Sequence, residues 1–425
     1  MLYERWRQIA QERGQELALR DVASGRQWCF AELAREAESG PADHQSIVYP
    51  QGHAPEFILA ILRAWRAKTT VCPLEPDQGP PQVPLPPAPS VHLKTTSATT
   101  GLARTIAFTA EQLAADAENI MVTMGLRPDW PNLGVISMAH SYGFSNLVLP
   151  LLLHGIPLIL VPSPLPETLR RAAEDEPALT LAAVPALWRA WHEAGVVPPN
   201  VRLAISAGAL LPVSLEQAVF SAARLKIHNF YGSSECGGIA YDVTATPRAD
   251  DACVGAPMRN VQLALNGNGC LEIRSQAVGL TYWPEPAETL ARGCFQTSDL
   301  AEIKDDLVYL RGRCGDQINV AGRKVFPASV ERALASHPIV KECLVFGVPG
   351  NDAHRTERIV ACVVARVPID AAQLKQFLLE QLPAWQVPRQ WWFVDALSAN
   401  PRGKVSRADW RRRFAEHQGQ KHHPG

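Results

Sequence analysis

The feature that most constrains the fold is an alternation of short apolar runs with segments of helical spacing between residues 134 and 230. A helix between successive strands favours a mostly parallel sheet whose faces are covered by helices. We therefore predict a layered α/β body in this part of the chain. The predicted strands are residues 134–137, 157–161, 179–184, 201–206 and 226–230.

The stretch before this body is predicted to extend it. Apolar residues at helical spacing over 54–66 predict a helix between two short strands, a unit typical of parallel sheets. Residues 73–89 contain eight prolines and are expected to form an extended connection. Thr109, with Gln112 three residues later, is a plausible cap for a helix over 109–124.

After residue 261 the pattern changes to short strands with tight turns, such as 266–269, which predicts a β-rich subdomain. After residue 313 strands and helices alternate again over about 110 residues, a normal domain size. We therefore expect a large body over 1–312 and a small, mobile α+β domain over 313–425. The basic end 410–413 is interpreted as a solvated helix face.

Composition excludes several classes of protein. The formal net charge of −1 gives no field that would favour nucleic acid or an anionic membrane. The most apolar run, 147–161, contains two prolines and is too short to span a bilayer. Nine cysteines are scattered singly without a CxxC pair, which fits a reducing compartment. We expect a soluble cytoplasmic protein.

One polar loop is a candidate for binding phosphate groups. Residues 94–101 contain five hydroxyl side chains and end in a glycine, and Arg104 follows. Backbone N–H and side-chain O–H groups of such a loop can surround phosphate oxygens, and the arginine can neutralise part of their charge. The loop is not a Walker A motif, because no Gly-Lys-Ser/Thr ends it. Taken alone, the loop is better explained as a polar surface turn.

Several short motifs follow one another along the chain: TSATTGLAR (96–104), AHSYG (139–143), SAGA (206–209), NFYGSSE (229–235), TSDL (297–300), the segment 311–331 and NPRGKVSR (400–407). Their identity and order make the sequence resemble the adenylate-forming superfamily, which includes acyl- and aryl-CoA synthetases, peptide-synthetase adenylation domains and luciferases. The resemblance covers roughly residues 45–410. It implies activation of a carboxylic acid by ATP and Mg²⁺ as an acyl-AMP, followed by transfer to the thiol of CoA or of an acyl-carrier-protein phosphopantetheine.

The resemblance implies where the nucleotide binds. Tyr231 would lie against the adenine ring, although a buried core tyrosine is the simpler alternative. Asp299 would accept hydrogen bonds from the ribose hydroxyls, and Arg313 would add a donor. Ser234 would reach the α-phosphate. The remaining implied nucleotide-binding residues are Thr96, Ser97, Thr99, Thr100, Gly101 and Arg104 of the phosphate loop, together with Gly208, Ala209 and Gly232.

Three residues carry the implied catalysis. Lys404 would bridge the α-phosphate and the incoming carboxylate, and so stabilise negative charge in the transition state. Glu235 would hold Mg²⁺, a hard cation that prefers carboxylate and phosphate oxygens. His140 would shape the carboxylate site or gate the approach of the thiol, although a lone histidine is as often structural. Ordinary surface positions are the alternatives for Lys404 and Glu235.

The C-terminal domain of the family rotates after adenylation, and the corresponding hinge position here is Gly315. The loop 319–324 resembles the segment that faces the thiol channel. The sequence departs from the family pattern at Ala98 and Arg104 in the phosphate loop, and only 94 residues precede that loop. In its short length the chain resembles the ligases of aryl-polyene and related pigment clusters, which load aromatic acids onto an acyl carrier protein.

The substrate and the acceptor stay open at this point. No Asp occurs in 139–146, where amino-acid-activating relatives bind the α-ammonium, so an aryl or medium acyl acid is preferred. An adenylating enzyme with a non-thiol acceptor is a second hypothesis. A degenerate nucleotide-binding module is a third, prompted by the altered phosphate loop and the short N-terminal part.

Overall fold

The computed structural model describes residues 1–40, 46–96, 104–350, 357–398 and 405–421. Two sheets form the body of the described chain. The larger has fourteen strands, and its central strands Leu179–Ala183 and Val201–Ser206 are parallel neighbours, with Ala204 opposite Leu181. The smaller has five strands. In chain order, β1 to β19 of the body are Leu17–Asp21, Gln27–Cys29, Ile47–Val48, Thr70–Val71, His92–Thr95, Thr105–Phe108, Asn132–Gly134, Leu158–Leu160, Leu179–Ala183, Val201–Ser206, Ile227–Ser233, Gly237–Tyr241, Cys253–Pro257, Gln262–Leu265, Cys270–Arg274, Thr281–Trp283, Leu290–Ala291, Cys294–Lys304 and Leu307–Arg313.

Helices pack on the body sheets and enclose a large apolar core that contains Trp6, Phe57, Phe144 and Trp188. A five-residue π-helical segment, Phe144–Val148, lies between the fifth and sixth helices. Such segments are frequent near functional sites. The helices α1 to α9 are Leu2–Glu12, Phe30–Ser39, Pro55–Ala67, Ala110–Met124, Ser141–Gly143, Leu149–His154, Pro166–Ala173, Pro185–Glu193 and Val213–Ala223.

Local sequence signals account for several of these elements. The Thr109 hydroxyl accepts a hydrogen bond from the Gln112 backbone at 3.3 Å, and the Gln112 side chain accepts one from the Thr109 backbone at 2.9 Å. This predicted cap starts α4, which ends at Gly125 in a left-handed conformation with φ of +67°. The described chain has no helix or strand between β4 and β5, as predicted for the proline-rich stretch 73–89.

The smaller C-terminal part is built on one three-stranded sheet. The strands β20 to β24 are Ile318–Val320, Arg323–Val325, Val340–Pro349, Glu357–Ala365 and Gln390–Phe393, and the helices α10 to α12 are Pro327–Ala335, Ala371–Leu379 and Arg407–Lys421. Helices α10 and α11 cover one face of the sheet β22-β23-β24, and α12 covers the other face. The predicted fold class, an α/β body with a β-rich part and a smaller α+β domain, is confirmed.

Two features differ from the sequence analysis. Trp410 is only 4% exposed and packs on Trp392 and Phe414, so the interpretation of 410–413 as a solvated face is wrong for this residue. Its large apolar ring closes the outer face of the sheet. The sulfur atoms of Cys270 and Cys314, which are 44 positions apart, lie in contact. The scattered spacing of the cysteines gave no sign of this pair. In the described part of the chain, every helix is too short or too polar to cross a membrane.

Candidate active site

A cavity of about 410 Å³ lies where the body meets the C-terminal part. Strand β11 and the segment after β10 line it from the body, and α10 and the start of α12 line it from the C-terminal part. Glycine permits the close approach of the chain at two points. Gly208 has a φ of +84°, and a Cβ on Gly232 would lie 2.6 Å from the Gly237 carbonyl oxygen. The predicted site residues that line the cavity are His140, Gly208, Ala209, Tyr231, Gly232, Ser234, Asp299 and Arg313.

Asp299 is the centre of a hydrogen-bonded group at one side of this cavity. The Tyr231 hydroxyl donates to Asp299 Oδ2 at 2.6 Å, and Arg313 Nε donates to Oδ1 at 2.8 Å. Burial, followed by the charge of Asp299, raises the pKa of Tyr231 well above its usual value, so the phenol keeps its proton and donates. A carboxylate has about four lone-pair sites, so Asp299 can still accept hydrogen bonds from a ligand.

Two hydroxyl groups meet near the middle of the cavity. Ser141 Oγ and Ser234 Oγ are 3.0 Å apart, and both side chains line the cavity. His140 directly precedes Ser141, at the N-terminal end of the short helix α5, and lines the cavity as well. This group offers hydroxyl donors to an oxygen-rich ligand.

Glu235, Thr96 and Arg104 lie outside the lining of the cavity and form a neighbouring group. The Tyr282 hydroxyl donates to Glu235 Oε1 at 3.1 Å, and the Arg104 guanidinium lies 5.1 Å from the centre of the Tyr282 ring. Thr96 and Arg104 join the two ends of the predicted phosphate loop. The Arg104 backbone N–H donates to Thr96 Oγ1 at 3.0 Å, and the Thr96 N–H donates to the Arg104 carbonyl at 2.8 Å.

Tyr282 was missed by the sequence analysis. Its strand, β16, pairs with β6, which begins directly after Arg104. Burial first, and then Glu235, raise the pKa of Tyr282, so the phenol keeps its proton and donates a hydrogen bond to the carboxylate. No local motif could have indicated this contact, because it depends on the order of strands in the smaller sheet.

The C-terminal wall of the cavity contains a second missed group. The Arg407 guanidinium donates to Asp316 at 2.9 Å and to Glu331 at 2.5 Å. The Val345 backbone N–H also donates to Glu331, at 2.8 Å. Burial outweighs these contacts and raises the pKa of Glu331. Arg407 is the last residue of the motif 400–407, and this motif was the sequence signal that could have indicated the group.

Some predicted residues cannot be placed. Ser97, Thr99, Thr100, Gly101 and Lys404 lie outside the described residues. Gly315, the predicted hinge, lies in the short 3₁₀ turn Cys314–Asp316 between β19 and β20. The predicted thiol-facing loop 319–324 falls on the hairpin of β20 and β21.

The cavity therefore combines a hydrogen-bonded carboxylate with hydroxyl groups, and a second group with Glu235, Tyr282 and Arg104 lies outside its lining. A sequence model of the family described as AMP-binding enzyme matches residues 26–283, and one described as AMP-binding enzyme C-terminal domain matches residues 329–404. The chain belongs to the AMP-binding enzyme family. It is an adenylate-forming enzyme of the acyl- and aryl-CoA ligase type.

The relatives in this family are ligases with different acids and acceptors. The chain is 25% identical over 358 residues to a feruloyl-CoA synthase of Amycolatopsis sp, covering 80% of this chain and 72% of that protein. It is 37% identical over 154 residues to the fatty acid–[acyl-carrier-protein] ligase ScoC of Streptomyces coeruleorubidus, covering 35% of this chain and 29% of that protein. The fold matches a crystal structure of ATP-bound MatB from Rhodopseudomonas palustris with a TM-score of 0.84, at 20% identity, over 98% of this chain and all of that one (100%).

The described residues of this family member do not form a metal centre by themselves. Within the described ranges, no cluster of three or more His, Cys, Asp or Glu side chains could hold a metal ion. A single carboxylate such as Glu235 nevertheless suits Mg²⁺, which keeps several waters and shares its remaining positions with phosphate oxygens. The role of Glu235 therefore stays a prediction, as do the roles of the other site residues.

Proposed function

We propose that the chain converts a carboxylic acid and ATP into an acyl-adenylate and pyrophosphate, and then transfers the acyl group to a thiol. In the first step a carboxylate oxygen attacks the α-phosphorus, and the bond to pyrophosphate breaks. In the second step the thiol loses its proton and its sulfur attacks the acyl carbon, so that AMP leaves. The observation that carries the proposal is Asp299, held by Tyr231 and Arg313 beside the Ser141–Ser234 pair in one cavity.

The nucleotide would lie across the two neighbouring groups. Asp299 would accept the ribose hydroxyls, and Ser234 would donate to the α-phosphate. The loop between Thr96 and Arg104 would bind the β- and γ-phosphates, and Glu235 would hold Mg²⁺, which neutralises phosphate charge when bound. The side chains thereby orient ATP before the chemical step, which is where most of the acceleration of phosphoryl transfer arises.

Lys404 would supply the cation for the first step. Of the three arginines that line the cavity, Arg313 and Arg407 are engaged with carboxylates of this chain, and the third is Arg332. Lys404 precedes Arg407 by three residues in the same motif. We therefore propose that the domain 313–425 brings Lys404 to the cavity and later turns about Gly315 to admit the thiol.

We propose an aromatic or medium-length acyl acid as the substrate. The rings of Tyr142 and Phe230 lie 5.9 Å apart at 45°, and both residues line the cavity. Gly232 and Gly237 line the cavity as well, and the flat faces of the two rings suit a flat or extended group. The match to a feruloyl-CoA synthase agrees with an aromatic acid. ATP and CoA are abundant in the cytoplasm, where we expect the enzyme to act.

The acceptor is either CoA or a carrier-protein phosphopantetheine, which present the same thiol. The partial match to a carrier-protein ligase supports the second, and the match to a CoA synthase supports the first. The test is release of pyrophosphate and AMP from Mg²⁺ and ATP with a panel of aromatic, short, long-chain and amino acids. CoA, or a phosphopantetheinylated carrier protein, is added in separate arms.

Acid-dependent pyrophosphate release with AMP release that requires a thiol is the expected result. AMP release stimulated by hydroxylamine or another amine but by neither thiol would favour the non-thiol acceptor. ATP binding without turnover of any acid in the panel would overturn the proposed function and favour a degenerate nucleotide-binding module.

A further inference from the structure

A buried ion pair outside the site described above contacts Ser145, a residue of the cavity lining. Lys94 Nζ is 3.7 Å from Asp116 Oδ2, and the two side chains are only 4% and 2% exposed. Lys94 belongs to β5, and Asp116 belongs to α4. Lysine and aspartate are almost never fully buried unless they are paired, because removing either charge from water is costly. The groups that this pair contacts should therefore explain why both charges are buried.

Asp116 binds two segments that reach the cavity. Ser145 Oγ donates to Asp116 Oδ2 at 2.6 Å, and Ser145 lines the cavity from the π-helical segment. The Gly238 backbone N–H donates to Asp116 Oδ1 at 3.2 Å. Gly237 has a φ of +69°, and a Cβ on it would lie 2.0 Å from the same oxygen. The Asp116 carboxylate is thus packed directly against the backbone at Gly237 and Gly238.

The turn at Gly237 joins β11 to β12 and carries Ser234 and Glu235. Lys94 lies two residues before Thr96, where the phosphate loop begins. One ion pair therefore links the strand that enters the phosphate loop to the turn that carries both predicted phosphate and metal contacts.

We propose that Lys94 and Asp116 are positioning residues that fix the turn between β11 and β12, and with it Ser234 and Glu235, against the strand leading into the phosphate loop. The catalytic consequence rests on the proposed function, whereas the structural consequence does not. Without Lys94, the buried carboxylate is uncompensated and the turn must move to let water reach it. A displacement of about 1 Å at reacting groups can cost about 100-fold in rate.

The test compares Lys94→Met with the double variant Lys94→Met/Asp116→Asn. In the double variant no charge is buried, and the amide oxygen of Asn still accepts from Gly238. Arg20→Met is the matched control, because Arg20 and Glu176 also form an ion pair, at 2.9 Å, with side chains 14% and 13% exposed. Arg20 lies on β1, next to the edge strand β2 of the larger sheet and away from β11 and β12. Hydrogen exchange of peptides covering 227–241 is measured, together with kcat and KM for ATP in acid-dependent pyrophosphate exchange per folded enzyme.

We expect Lys94→Met to speed hydrogen exchange in 227–241. It should also lower kcat by about 10- to 100-fold, with KM for ATP changed by less than about threefold. The double variant should recover both the slow exchange and most of kcat. Arg20→Met should change neither, although it lowers the melting temperature.

Unchanged exchange of 227–241 in Lys94→Met would overturn the proposal, and this readout needs no active enzyme. A double variant that fails to regain protection would overturn it too. Slow hydrogen exchange in the double variant without recovery of kcat would also overturn the proposal. Lys94 would then contribute to catalysis through its own charge and not by positioning the turn. Absence of pyrophosphate exchange in the wild type would count against the proposed function, while the exchange of 227–241 would still decide the role of the ion pair.

Discussion

The hydroxyl of Tyr282 donates a 3.1 Å hydrogen bond to the carboxylate of Glu235. The same ring lies 5.1 Å from the guanidinium of Arg104, which closes the predicted phosphate loop together with Thr96. The tyrosine thus ties the carboxylate proposed to hold Mg²⁺ to the end of the loop proposed to bind phosphates. This relationship gives a first prediction.

Replacing Tyr282 with Phe keeps the ring beside Arg104 and removes only the donor to Glu235. A hydrogen bond to a charged group contributes about 1.5 to 3 kcal/mol, so we expect kcat/KM for ATP to fall by roughly 10- to 150-fold. The effect should shrink as the Mg²⁺ concentration rises, because the metal competes to orient the same carboxylate. Pyrophosphate exchange across a Mg²⁺ titration measures this. Tyr309→Phe is the control, because Tyr309 lies outside the lining of the cavity, and an equal effect there would refute the assigned role.

Asp299 is expected to recognise the ribose hydroxyls, and 2′-deoxy-ATP tests this contact directly. With the wild type, the missing hydroxyl should lower kcat/KM by about tenfold. In Asp299→Ala both nucleotides should be equally poor, since the acceptor is gone. Asp129→Ala, an exposed surface aspartate paired with Arg127, should behave like the wild type. A persistent preference for ATP in Asp299→Ala would show that another group reads the ribose.

The features that could be predicted correctly are those determined by residues close together in the sequence. The alternation of strands and helices, the Thr109 cap and the proline-rich connection depend on residues close in the chain, and the structure reproduces them. The Tyr282–Glu235 contact and the Lys94–Asp116 pair depend on which strands and helices become neighbours. Short motifs do not encode that order, so these contacts could not be predicted.

The error at Trp410 has a similar cause. Three arginines follow it and indicate a solvated helix face, and Arg411, Arg412 and Arg413 are indeed exposed. The position of Trp410 is decided instead by the apolar outer face of the C-terminal sheet, where it packs on Trp392 and Phe414. A run of charged residues therefore predicts the exposure of its own side chains, but not the burial of an aromatic residue in the same helical turn.

Lys404 is predicted to act only in the first chemical step. Lys404→Ala should lower acid-dependent pyrophosphate exchange by at least about 100-fold, because the cation stabilises charge that develops in the transition state. ATP binding by calorimetry should change only a few-fold, since Asp299 and the phosphate loop remain. Lys375→Ala, an exposed lysine of α11, is the matched control. Near-normal exchange in Lys404→Ala would mean that another residue supplies the charge.

The last prediction concerns stability against pH at the packing of α1 on α6. Burial first, and then the neighbouring charge of Arg5, lower the pKa of His154 to about 4. Arg5 Nη2 lies 3.1 Å from His154 Nδ1, and Glu118 lies 3.8 Å from Nε2. The folded protein therefore keeps the ring neutral, whereas the unfolded chain binds a proton near pH 6.5.

Because the folded pKa of His154 is depressed, its contribution to stability is fully present above about pH 6.5 and is lost as the pH falls towards 4. The loss is on the order of 2 to 3 kcal/mol. His154→Gln cannot titrate, so its free energy of unfolding should fall less than that of the wild type between pH 7 and pH 4.5. Urea unfolding of both proteins at several pH values measures this difference. Curves that stay parallel over the whole range would show that His154 is not held neutral.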